Sequence, residues 1–208
     1  MINKAFSDKI YNAGEFAKFV KSETDANVRY ELIDGYIYMM GSPSVVHQEI
    51  VKFVSGAFDA YFADKACRTF FALLNVYLYV YLFDMKKIPF ALAAKSRCAN
   101  VFQPDVFVVC DKKKIKRNGV YGAPDLVAEV VSKSSSQPDY VLKFNSYMRF
   151  GVREYWIINY YAKQIVVYVN MPDDINMKVY GFDGAVRSGI FSGLSLDFNG
   201  AVFDADIS

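Results

Sequence analysis

The sequence predicts a mixed α/β fold, with a central mixed β-sheet flanked by helices and further strands at one edge. Three observations predict it. Residues 106–109 and 126–132 are β-prone runs apolar on both faces, the pattern of strands covered on both sides. Val46, Ile50, Phe53, Val54, Ala57, Phe58 and Tyr61 recur at helical spacing over about five turns. The chain has 208 residues, 53% of them hydrophobic and 17% aromatic. That is too apolar for disorder and long enough for a single domain, residues 1–208, with a well-developed core. The aromatic excess further suggests surface buried between subunits.

Residues 12–21 read as a short amphipathic helix, with Phe16, Phe19 and Val20 on one side and Asn12 as its cap. Residues 28–33 and 36–40 flank Asp34-Gly35, a two-residue hairpin signal, so Glu31 sits on a strand. Ser44 caps the long helix that follows. From residue 69 to 94 the chain turns β-like, Val76, Leu78, Val80 and Leu82 alternating with Tyr77, Tyr79, Tyr81 and Phe83. The two carboxylate-bearing strands come next, joined by a polar connection that includes residues 112–117. After a Ser-rich loop, residues 140–150 form a helix closed by Gly151, residues 154–159 and 164–169 pair as strands, and a glycine-punctuated tail makes short strands and turns.

Composition excludes several classes. Lys plus Arg total 24 against 22 for Asp plus Glu, so the net charge of +2 neither demands nor forbids nucleic acid. Three cysteines without a CxxC pair argue against a disulfide framework and against a cysteine-rich zinc site. The first residues lack an apolar signal core, which makes a cytoplasmic location the expectation. The longest apolar run, residues 70–83, is broken by Asn75 and is shorter than the roughly 18 residues of a spanning helix. No membrane association and no organic cofactor are expected.

The chemistry centres on Asp105 and Glu129. Each is a carboxylate inside an apolar strand, a placement that costs several kcal/mol unless the group is paired, protonated or bound to a cation. If the strands are neighbours, the two acids can share one divalent cation. Oxygen-only ligation favours Mg²⁺, with Mn²⁺ as a substitute. Lys143 is the candidate positive partner, lying one turn beyond Asp139 and one before Tyr147 on a common helix face.

Several motifs together closely resemble the Uma2 family. They are Tyr30-Glu31-Leu32-Ile33-Asp34-Gly35, Gln103-Pro104-Asp105, the run from Gly122 to Ser132 that contains Pro124-Asp125 and Glu129, the stretch Asp139 to Lys143, and Gly151-Val152-Arg153-Glu154-Tyr155-Trp156-Ile157. Uma2, formerly a domain of unknown function, is described as restriction endonucleases within the PD-(D/E)xK nuclease superfamily. The resemblance spans roughly residues 28–169. It implies a restriction-endonuclease-like fold and a metal-dependent endonuclease acting on DNA. Asp105 and Glu129 would be metal ligands, Glu31 an accessory acid and Lys143 a displaced catalytic lysine. Val131 stands where the superfamily has its usual lysine, and residues 77–94 are longer than the family pattern expects.

Other readings stand beside these. A nuclease-fold module that binds DNA or protein without cutting, and a metal-free acid and base pair of the glycosidase kind, both fit two buried acids. Asp125 reads as a turn organiser, Trp156 as core, and the Lys112 to Arg117 run as a solvated loop with phosphate contact as its rival. His47, the only histidine, is a polar helix position or an edge of the site. The Tyr77, Tyr79 and Tyr81 ladder is read as a strand face in a homodimer interface.

Overall fold

The computed structural model describes residues 3–4, 9–25, 28–79, 100–131, 137–199, 201 and 203, with side chains for all of these except 3–4 and 137–139. In chain order its elements are β1 Asn3–Lys4, α1 Ala13–Ser22, β2 Arg29–Ile33, β3 Tyr36–Met40, α2 Val45–Phe62, β4 Arg68–Phe71, β5 Val76–Leu78 and β6 Asn100–Phe102. Then come β7 Val106–Val109, a 3-10 turn at Lys112–Lys114, β8 Ile115–Lys116, β9 Gly119–Tyr121, β10 Leu126–Val131, α3 Gln137–Arg149, β11 Glu154–Asn159, β12 Gln164–Asn170, β13 Ile175–Gly181, β14 Ala185–Arg187 and β15 Ser195–Asp197.

Local chemistry explains the ends of these elements. Asn12 and Glu15 form a reciprocal capping box at α1, each side chain accepting from the other's backbone N–H at 2.9 and 3.0 Å. Ser44 caps α2 by accepting from the His47 N–H at 3.2 Å. Asp34 and Gly35 have φ of 50° and 84°, the paired left-handed conformation of the tight turn joining β2 to β3. Gly151 at φ 85° terminates α3.

The strands form two large mixed sheets, where the sequence suggested one sheet with edge additions. The six-stranded sheet has the order β13-β12-β11-β10-β7-β4, and the seven-stranded sheet the order β1-β3-β2-β6-β5-β9-β8. The physical reason for the second sheet is alternation. Tyr30 and Leu32 face α1 together with Ile37 and Val101, while Ile33, Val76, Leu78, Phe102 and Val120 face the six-stranded sheet. Both faces of the seven-stranded sheet are therefore apolar and both are covered. The core runs in layers: α1 on one face of this sheet, then the six-stranded sheet with α3 beside the junction, then α2 and the C-terminal β14–β15 hairpin over Val106, Leu126, Ala128, Val130 and Trp156.

Two expectations change. Cys67 and Cys110 form a disulfide, contrary to the argument from odd number and spacing. The register explains it, because pairing Arg68 with Val109 across β4 and β7 leaves residues 67 and 110 as the next opposed pair. The lysine-rich connection is partly structured as the 3-10 turn and β8. Tyr77 and Tyr79, read as part of a dimer face, are half-buried and pack towards the α1 cluster. Tyr81 and most of the hydrophobic 77–94 stretch lie outside the described residues.

The candidate active site at the junction of the two sheets

The site is built where β7, β10, β2 and α3 meet. β7 and β10 are antiparallel neighbours, as a shared site requires, and pairing Ala128 with Val106 sets Asp105 opposite Glu129 at the next step. Glu129 shares the face of Val127, which looks towards the seven-stranded sheet. Glu31 lies on β2 with the parity of Ile33 and so looks back from the other sheet, fully buried. Thus three carboxylates from distant parts of the chain face one junction.

Lys143 reaches into that junction from α3. Its Nζ lies 3.0 Å from Glu129 Oε1, and 3.3 and 3.2 Å from Glu31 Oε1 and Oε2. The backbone N–H of Gln103 donates to Glu31 Oε1 at 2.9 Å, and the Tyr147 hydroxyl donates to Glu129 Oε1 at 2.7 Å. Asp105 is held differently. Its Oδ2 lies 3.1 Å from His47 Nε2 and accepts from the Val130 N–H at 2.9 Å. All four predicted residues, Glu31, Asp105, Glu129 and Lys143, are buried.

Burial governs the protonation of the cluster. It pushes the Glu129 carboxyl up to about 7, against the pull of Lys143 and with the charges of Asp105 and Glu31 adding to it. Burial acts on Asp105 in the same sense, but the hydrogen bond and charge of His47, the charge of Lys143 and the Val130 N–H together hold it below the usual aspartate value. Burial pulls the Lys143 ammonium down; the surrounding carboxylates outweigh it and leave the lysine above its ordinary range. Lys143 is therefore a permanent cation at neutral pH, a hydrogen-bond donor and not a base.

The donor set consists of hard oxygens, which suits a small divalent cation. The hydrogen bonds among the described residues use Asp105 Oδ2 and Glu129 Oε1, so Asp105 Oδ1 and Glu129 Oε2 are the oxygens left for such an ion. Among the described residues no three His, Cys, Asp or Glu groups converge on one point as a ready metal cage. Two carboxylates suffice for Mg²⁺, which keeps most of its waters.

One participant, Tyr147, escaped the sequence reading as a site member, and a second, His47, stood in it as one of two alternatives. Tyr147 was noted only as sharing a face with Lys143, and that spacing, four residues, was the signal that could have found it. His47 contacts Asp105 and so belongs to the site edge. Asp125 stands apart, accepting from the Cys110 N–H at 2.8 Å and the Arg153 guanidinium at 3.1 Å, the turn-organising role expected of it. Trp156 is core, edge-on to Phe58 with ring centroids 5.6 Å apart.

The Uma2 family, described as "Putative restriction endonuclease", matches residues 16–199. No curated protein matches the chain. A solved structure, described as that of "a putative nuclease belonging to DUF820 from Anabaena variabilis ATCC 29413", is similar over 90% of this chain and 92% of its own, with a TM-score of 0.61 and 17% identity. At that identity the likeness speaks for the fold alone.

Proposed function

The chain belongs to the Uma2 family, and from that premise we propose that it is a metal-dependent endonuclease hydrolysing phosphodiester bonds in DNA. Charge is the observation that carries the reading. Three buried carboxylates, Glu31, Asp105 and Glu129, share the junction with the Lys143 ammonium, which pairs with Glu31 and Glu129 and is the one ammonium there among the described residues, an excess of negative charge that a divalent cation would neutralise. Asp105 and Glu129 would hold that cation, Mg²⁺ or Mn²⁺ in its place. When bound, such an ion polarises the phosphodiester and lowers the pKa of an attacking water.

The protein's own groups have distinct tasks. Lys143, kept protonated by its acidic neighbours, donates hydrogen bonds and stabilises the negative charge that grows on the phosphate. Glu31 anchors that ammonium from the second sheet. Tyr147 fixes Glu129 by occupying Oε1. Val131, at the strand position where the superfamily carries its lysine, is buried and apolar, and Lys143 supplies the charge from the helix instead.

Calorimetric titration of Mn²⁺ and Mg²⁺ into the wild type and a folded Asp105→Ala, Glu129→Ala double variant tests this reading, together with cleavage of plasmid DNA. Uptake and cleavage in the wild type, both lost in the variant, are expected. Full metal-dependent cleavage by the variant would overturn the mechanism. A second reading, a nuclease-fold module that binds DNA without cutting it, is favoured by Lys143 already bridging two of the acids without a cation. Salt-sensitive DNA binding without metal uptake would select it. The proposed working form is a homodimer. Among the described residues no helix is long and apolar enough to cross a membrane, and sedimentation at micromolar concentration decides the stoichiometry.

A further inference from the structure

We propose that His47 is a positioning residue for Asp105, holding the carboxylate through an Nε2–H tautomer. The inference rests on the nuclease reading for its consequence, and on geometry for itself. His47 sits in the first turn of α2, where its backbone N–H is fixed by the Ser44 cap. That places the ring against Asp105, with Nε2 3.1 Å from Oδ2. The other ring nitrogen, Nδ1, is buried and has no hydrogen-bond partner among the described residues.

The asymmetry between the two nitrogens selects the tautomer. A carboxylate oxygen can only accept, so the nitrogen facing it must donate, which puts the proton on Nε2. Nδ1 then keeps a lone pair without a partner. The reverse tautomer would bury an unsatisfied N–H and also face two acceptors towards each other, a double penalty. With the Val130 N–H donating to the same oxygen at 2.9 Å, Oδ2 carries two donors from two elements, α2 and β10. The carboxylate cannot rotate without breaking both bonds. Oδ1 is thereby the oxygen kept for a cation, and its orientation is set before any cation arrives.

His47 being the only histidine, its ring resonances are unambiguous in protein free of added tags. Long-range ¹⁵N–¹H spectra of the metal-free protein should show the proton on Nε2, with both ring nitrogens shifting in Asp105→Asn. A neutral ring carrying its proton on Nδ1 overturns the proposal. The consequence is read by Mn²⁺ calorimetry on variants whose folding is checked by circular dichroism. His47→Leu should weaken Mn²⁺ binding about 10- to 100-fold. His47→Gln, which can return a donor near the Nε2 position, should recover most of that loss. Wild-type Mn²⁺ affinity in folded His47→Leu also overturns the proposal. If the wild type itself takes up no Mn²⁺, the metal reading of the site fails, and the ring spectrum still decides whether His47 holds Asp105.

Discussion

Lys143 is the residue on which the site's electrostatics turn. Among the described residues it is the one ammonium bonded to Glu31 and Glu129, so removing it leaves buried carboxylates uncompensated. Losing one partner of a buried ion pair typically costs about 3–5 kcal/mol. Lys143→Met should therefore lower unfolding stability by that order in urea titration at neutral pH, and a stability equal to the wild type would show that the carboxylates find other compensation. Glu154 makes a contrasting case outside the site. Its Oε2 accepts from Ser188 Oγ at 3.0 Å and from the Gly189 and Ile190 N–H groups at 2.8 and 2.9 Å, and Oε1 from the Trp156 indole. Burial pushes its carboxyl up, and those four donors only partly oppose it. A carboxyl whose folded pKa is raised contributes stability in its protonated form. That contribution is full below the unfolded pKa and is lost as pH rises through the folded one. The difference in melting temperature between wild type and Glu154→Gln should accordingly be most favourable to the wild type at low pH and shrink as pH rises. A difference that grows with pH would reverse the sign of the shift.

At the scale of elements, the clearest steric demand falls on Gly119 at the start of β9. Its φ is 147°, and a Cβ there would come within 2.6 Å of the Asn75 carbonyl oxygen, which accepts the Val120 N–H at 2.8 Å. Gly119→Ala should cost roughly 1–3 kcal/mol, measured by thermal unfolding, and no loss would mean that β5 and β9 can separate without penalty. Most elements could be read from the chain, because their signals are local. The helical period of Val46 to Tyr61, the Asp34-Gly35 turn and the Asn12 cap each act over a few residues. The doubly apolar runs around Asp105 and Glu129 named the strands that carry the acids, and the parity of Glu129 with Val127 and Val131 put it on the correct face. What could not be read is long-range partnership. Nothing local says that β2 joins β6 in a second sheet, that residue 67 meets residue 110, or that Glu31 and Glu129 share one lysine. Tyr147 stayed hidden for a related reason: a tyrosine on an apolar helix face reads as core, and it is core, with its hydroxyl alone reaching the site.

Across the whole molecule, the Cys67–Cys110 bond bears on where the protein works. Disulfides persist in oxidising compartments and are rare in the cytosol of mesophiles, which sets this pair against a cytoplasmic location. Under denaturing conditions, reduction should raise the number of alkylated cysteines by two, Cys67 and Cys110, relative to alkylation without reduction. Three labelled thiols before reduction, in protein taken directly from its cells, would mean that the bond does not form there. The site's make-up has a further consequence in time. Glu31 and Lys143 stand 112 residues apart in the chain, and Asp105 meets His47 across 58. Contacts between such remote positions close late in folding, after local turns and helices have formed. A ribosome must release the chain well past residue 143 before the acids and their lysine can meet. Until then the growing polypeptide carries the acids and their lysine as separate pieces, and the buried cluster exists only in the finished molecule.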